Sequence, residues 1–272
     1  MSTFRTASVW LVAIALVLVA ASFLLFLTAT QLTGKESGEV ILRRSVATIT
    51  DLDQSMPRIE EGLAEATEAA DTDTVLIPGF PLAVELTVEE ARTLRGAELR
   101  DRILDKSAAI LYADGPSAWA ATDEEAAQDI DRLSAAGFID LGLGLIQDDI
   151  HTGFLVVTVL FGIMTLAMTA ILLIVLPREA RLLVLSLVVL ASSLPSLAAA
   201  VGLRFAFRTL ETDTDEFVNG MLDIGSDSMS LPIRNFFTLT VLGMALLFIG
   251  SLVAWWESKS PRNEGHLADT GY

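Results

Sequence analysis

Four stretches of this chain contain no Asp, Glu, Lys, Arg or His: residues 6–34, 152–177, 182–203 and 235–256. Each is rich in Leu, Val, Ala and Ile. Even the shortest, 182–203, would reach about 33 Å as a helix at about 1.5 Å per residue, against a bilayer hydrocarbon core of about 30 Å. A chain that is 52% hydrophobic and yet carries a formal net charge of −17 has separated its two kinds of residue along its length. The pattern predicts an α-helical integral membrane protein of four transmembrane helices, with a mainly α, minor β extracytoplasmic domain inserted between helices 1 and 2.

The expected division is 1–32 for the N-terminal tail and first span, 33–151 for the acidic domain, and 152–177 for the second span. A turn at 178–181, the third span at 182–203, an outer loop at 204–234 with an amphipathic helix, the fourth span at 235–256 and a tail at 257–272 complete it. Val19-Ala20-Ala21 has the small residues of a signal-cleavage site, but the apolar run continues through Phe23-Leu24-Leu25-Phe26-Leu27. That exceeds a signal-peptide apolar region of roughly 7–15 residues, so the first span reads as an uncleaved anchor.

Orientation follows from basic residues in the short connections. Arg5, Arg178, Arg181, Lys259 and Arg262 fall on one side, against Arg204, Arg208 and Arg234 on the other. The side with more basic residues is the cytoplasmic one, which places both termini inside and 33–151 outside a cell membrane.

Nearly all the net charge lies in the inserted segment: residues 33–150 hold 25 acids and 10 bases. A surface of this sign repels a phosphate backbone, so nucleic acid is excluded as a partner. The chain has no cysteine, hence no disulfide, thiol nucleophile or thiolate metal site. Its 15 arginines against 3 lysines fit a high-GC or salt-adapted prokaryote.

The inserted segment has the apolar periodicity a core needs. Leu42, Ile49, Leu52, Met56, Ile59, Leu63, Ala66 and Ala70 recur at helical spacing, with Pro57 expected to kink or restart the helix. Thr87-Val88-Glu89-Glu90 has the form of a capping box, predicting a helix that starts there and carries Leu99, Ile103, Leu104, Ile110 and Leu111 toward Asp114-Gly115-Pro116. Thr122-Asp123-Glu124-Glu125 predicts a further helix to about Ala136, closed by Gly137. Between these, Thr74–Ile77 and Leu82–Leu86 read as extended segments around a Pro-Gly-Phe-Pro turn. The segment reads as domain core, with Phe80 at the turn tip as a candidate partner contact.

In the outer loop, Phe217, Val218, Met221 and Leu222 share one helical face after the acidic run 211–216. That run lacks the Gly and the bidentate Glu that a calcium loop requires in register, and reads as a solvated turn.

Asp148, Asp149 and His151 are the best candidate site. Asp148 and His151, three apart on a helix, offer a carboxylate and an imidazole to a cation. A transition-metal site needs three or four ligands, however, and the only other histidine, His266, is in the opposite tail. The favoured reading is an interfacial polar collar in which these groups pair with Arg204 and Arg208. Within the spans there are no charges of the kind that carry protons or ions, and Ser192, Ser196 and Ala200 form a small-residue stripe suited to helix packing, with Pro195 beside it.

No nucleophile elbow, zinc-helix motif or phosphate loop is present, and no metal or cofactor is expected. The sequence therefore points to a non-enzymatic membrane scaffold or accessory subunit that contacts lipid and another envelope protein or itself. The alternative is an oligomeric channel or transport component with a cation-attracting acidic vestibule.

Overall fold

Runs without charge become long helices. The computed structural model describes residues 2–115, 118, 144–210 and 216–259. In chain order its elements are α1 (Ser2–Thr33), α2 (Lys35–Thr50), α3 (Leu52–Glu68), β1 (Thr74–Leu76), β2 (Glu85–Thr87), α4 (Val88–Thr93), α5 (Gly96–Asp114), α6 (Asp148–Val175), α7 (Arg178–Leu210), α8 (Glu216–Ser228) and α9 (Ser230–Lys259). The helix expected over 122–136 with its Gly137 cap, the acidic run 211–215 and His266 lie outside the described residues.

Four segments are long and apolar enough to cross a membrane: Val9–Thr33, Asp148–Val175, Ala180–Leu210 and Phe217–Trp256. This is the architecture of a multi-pass α-helical membrane protein. The last segment, 40 residues, is about twice what a bilayer needs, and the helix breaks within it at Met229, separating α8 from α9.

The chain divides into two compact units, one of residues 1–24, 160–198 and 234–272, the other of 25–159 and 199–233. In the first, Ala13 and Leu16 of α1 pack with Leu172, Leu176 and Val188. Gly243 of α9 lies against Leu190 and Val189 of α7, and Gly250 against Leu182, so two glycines seven residues apart let these helices approach closely. Thr240 donates a hydrogen bond to Ser193 across the same contact, 3.1 Å long.

The second unit has its own core, in which Leu42 and Val46 of α2, Leu52, Met56, Ile59 and Leu63 of α3, and Leu99, Ile103, Leu104 and Leu111 of α5 are buried. The break between α2 and α3 falls at Asp51, whose φ of 44° is left-handed, and not at Pro57, which lies inside α3. Aspartate tolerates that backbone region better than most residues, and this one ends the first helix and starts the next. The capping box forms as its sequence predicts: Thr87 Oγ1 accepts from Glu90 N at 3.1 Å, and Glu90 Oε2 accepts from Thr87 N at 3.0 Å. The helix it starts is short. Leu94 and Arg95 are extended and Gly96 has φ +54°, so α4 and α5 are separate helices where one was expected.

β1 and β2 pair antiparallel, Val75 opposite Leu86. Pro78 and Gly79 (φ +69°) occupy the corners of a tight turn in which Phe80 N–H points back to Ile77 O at 3.5 Å, the residue pattern of a type II turn. The turn returns Phe80 to the core side, with Val75, Ile77, Leu82, Val84 and Leu86, while Leu76 faces outward.

Glu90 does more than cap. Arg102 and Lys106 of α5 both bond its carboxylate, tying α4 to α5. Burial works to raise this carboxyl, but the bonds from the Thr87 backbone, Lys106 and Arg102 outweigh it and hold it at about 2. A carboxyl depressed on folding stabilises the fold above its ordinary value, and that contribution is lost as pH falls from about 4.5 through 2. Asp53, lowered by its hydrogen bond from Arg100, acts in the same sense. Glu90→Gln is expected to cost on the order of 2 kcal/mol at neutral pH, after discounting for solvent. It should also flatten the loss of stability between pH 5 and pH 2, read by hydrogen exchange of α5 in the full chain. A limb as steep as the parent's would remove the assignment.

Candidate functional site

The second unit holds two polar nodes next to the ends of apolar helices. The first forms where α1 ends. Gly34, extended at ψ 148°, breaks the helix after Thr33. The Thr33 hydroxyl donates to Ala29 O at 2.9 Å, which uses its one proton. Its 3.2 Å contact with His151 Nδ1 therefore places a proton on that nitrogen, with imidazole as donor. Tyr112 of α5 donates its hydroxyl to Thr33 O at 3.2 Å. Burial raises the Tyr112 phenol, and the charges of Asp148 and Glu39 raise it further, so it remains a donor. Close packing surrounds the node: a Cβ on Gly38 would stand 2.8 Å from Ile146 Cγ2 and 3.2 Å from Tyr112 Cε2. One contact below, Thr30 and Thr158 hydroxyls meet at 2.8 Å, joining α1 to α6.

The second node lies between α2 and α8. Arg44 bonds Asp227 at 2.7 Å and approaches Asp223 at 3.8 Å, two acids one helical turn apart. Gly220 permits the approach, since a Cβ there would lie 2.7 Å from Thr48 Cγ2. Arg208 Nε donates to Ser226 Oγ at 3.2 Å, and the fields of Arg204 and Arg208 both reach Asp227. Arg204 Nε is buried with no hydrogen-bond partner among the described residues.

The expected collar is thus divided. Among the described residues no ion pair joins Asp148 or Asp149 to Arg204 or Arg208. The two acids sit in the first turn of α6, where the helix dipole favours carboxylates, and His151 faces Thr33. Arg44 from the inserted segment takes the acids of α8. Nor is Phe80 a surface tip: it is 7% exposed, within the core. Among the described residues no three His, Asp or Glu side chains converge as a metal site requires.

Thr33, Tyr112, Arg44, Asp223 and Asp227 were not singled out by sequence reasoning. Arg43-Arg44 is a basic doublet in an acidic segment, and Asp223 and Asp227 share a helix face, but nothing local links residues 44 and 227. No protein-family model, curated protein or solved structure matches this chain.

Proposed function

We propose that this chain is a non-enzymatic membrane scaffold or accessory subunit of the cell membrane. In this reading both termini are cytoplasmic and the unit formed mainly by 33–151 lies outside. It contacts another envelope protein or a second copy through its polar surface. The observation that supports this is a self-contained body in the inserted segment. It has its own buried core, and several of its exposed charges pair with one another on a polar surface, Arg43 with Asp101 and Asp105 and Arg100 with Asp53.

The second reading is an oligomeric channel component with an acidic vestibule concentrating cations. The α7 serines weigh against it. Ser186, Ser192 and Ser196 donate to carbonyls of their own helix, and Ser193 accepts from Thr240, so these hydroxyls serve packing.

Orientation is tested first, in a chain that contains no cysteine of its own. Glu98→Cys should react with an impermeant maleimide in intact cells, and Ala180→Cys only after permeabilisation; the reverse pattern would overturn the topology. Cross-linking in native membranes should then trap a constant second species, heterologous or identical. A chain recovered only as a monomer would remove the scaffold reading, and cation flux through liposomes holding the pure protein would favour the channel.

A further inference from the structure

A groove of about 300 Å³ opens in the second unit between α2, α8 and the first turn of α9. Its walls are apolar, formed by Leu32, Val40, Ile41, Ile224 and Leu231. Val40 is 56% exposed there, an apolar surface that water covers at a cost. Leu32 lies two residues before the end of the charge-free run 6–34, and Leu231 four residues before the start of 235–256. Both charge-free runs end within a few residues of the groove, so acyl chains and headgroups are the molecules at hand.

The polar groups on its rim decide which headgroup fits. Arg44 is engaged by Asp227 and Asp223, and the Ser228 hydroxyl donates to Ile224 O. What remains without a partner among the described residues is the Glu36 carboxylate and the hydroxyls of Ser37 and Ser230. Arg44 and Asp227 neutralise each other, which leaves the Glu36 carboxylate as the one charged rim group without a partner among the described residues, and it repels a purely anionic headgroup. A carboxylate beside two free hydroxyl donors complements a cation next to a phosphate. We infer that this groove holds a phospholipid whose headgroup carries a primary ammonium. The ammonium sits on Glu36, phosphate oxygens accept from Ser37 and Ser230, and the upper acyl chain lies along Leu32, Val40 and Leu231. A choline headgroup matches in charge but has no N–H to donate to the carboxylate. The inference rests on the membrane architecture alone and stands whether or not the scaffold reading does.

The test uses the full chain, exchanged into equal mixtures of phosphatidylethanolamine, phosphatidylcholine and phosphatidylglycerol, with retained lipid counted by native mass spectrometry. The ethanolamine lipid should be retained over the other two by about fivefold, the size of an exposed charge-assisted contact. Glu36→Gln should abolish that preference; the residue is exposed and forms no ion pair among the described residues, so the fold should survive. Leu231→Trp, which fills the groove, should lower retention of all three. Equal retention of the three lipids by the parent chain, a preference for phosphatidylglycerol, or an unchanged preference in Glu36→Gln would each overturn the assignment.

Discussion

Phe80→Ala is expected to destabilise the inserted unit by about 3 kcal/mol, within the range for deleting a buried aromatic ring, while Leu76→Ala changes stability by less than about 0.5 kcal/mol. The contrast comes from the turn. Phe80 is 7% exposed and packs with Leu82, Val84 and Leu86, whereas Leu76 is 54% exposed on the outer face of β1. Hydrogen-exchange protection of α3 and α5 in the detergent-solubilised full chain should fall in the first variant and hold in the second. If Phe80→Ala kept full protection but lost a cross-linked partner, the residue would be a contact after all and the buried position would be wrong.

The same dozen residues show where sequence reasoning stops. Extended segments on both sides of Pro78-Gly79 were legible because proline presets one corner of a turn and glycine supplies the positive φ of the next. The side chain after the glycine was not, because whether residue 80 points out or in depends on the one-residue change in alternation that the turn introduces. Residues 75 and 77 face the core before it, and residues 80, 82, 84 and 86 after it.

Helix boundaries divide in the same way. Thr87 and Glu90 announced a start because both halves of the motif lie within four residues. Pro57, the strongest local breaker, predicts a kink or a restart, yet the break falls at Asp51, where an unfavourable left-handed backbone is held by packing on both sides. Gly96 was a visible signal of a break, masked by an apolar periodicity that continues across it from Ala91 to Leu99.

The polar nodes were the least legible. Charge-free windows locate helix ends and predict that Asp148, His151, Arg204 and Arg208 gather near them, as their positions in the chain allow. The contacts that form near these ends join residues far apart in the chain. Arg44 reaches Asp227 across 183 positions and Tyr112 reaches Thr33 across 79. Contacts between residues this far apart leave no periodicity and no motif, and pairing by proximity to the helix ends gives the acids of α6 to arginines of which Arg208 bonds Ser226 of α8 instead.

Gly243→Leu is expected to be the most damaging single change in the membrane-spanning part, forcing α7 and α9 apart. A Cβ at 243 would already stand 2.9 Å from Leu190 Cγ and Cδ2 and 3.2 Å from Val189 Cγ1. Alanine already requires Leu190 to shift at its branch carbon as well as at a methyl, so Gly243→Ala should be destabilising, though less than leucine. A leucine adds three more carbons with nowhere to go, at a cost of about 1–3 kcal/mol for overpacking, and more if the Thr240 to Ser193 hydrogen bond breaks with it. The two effects are separable. Thr240→Val removes the hydrogen bond while leaving the glycine contact, and should cost about 0.6 kcal/mol, the average for such bonds between membrane helices. Steric trapping or detergent melting of the full chain should then show Gly243→Leu as more damaging than either Gly243→Ala or Thr240→Val. Gly202→Leu serves as a control, because a Cβ at 202 meets nothing within 4 Å. If Gly202→Leu damaged the protein as much as Gly243→Leu, leucine would be harmful at any helix glycine and the close approach of α7 and α9 at residue 243 would not be its cause.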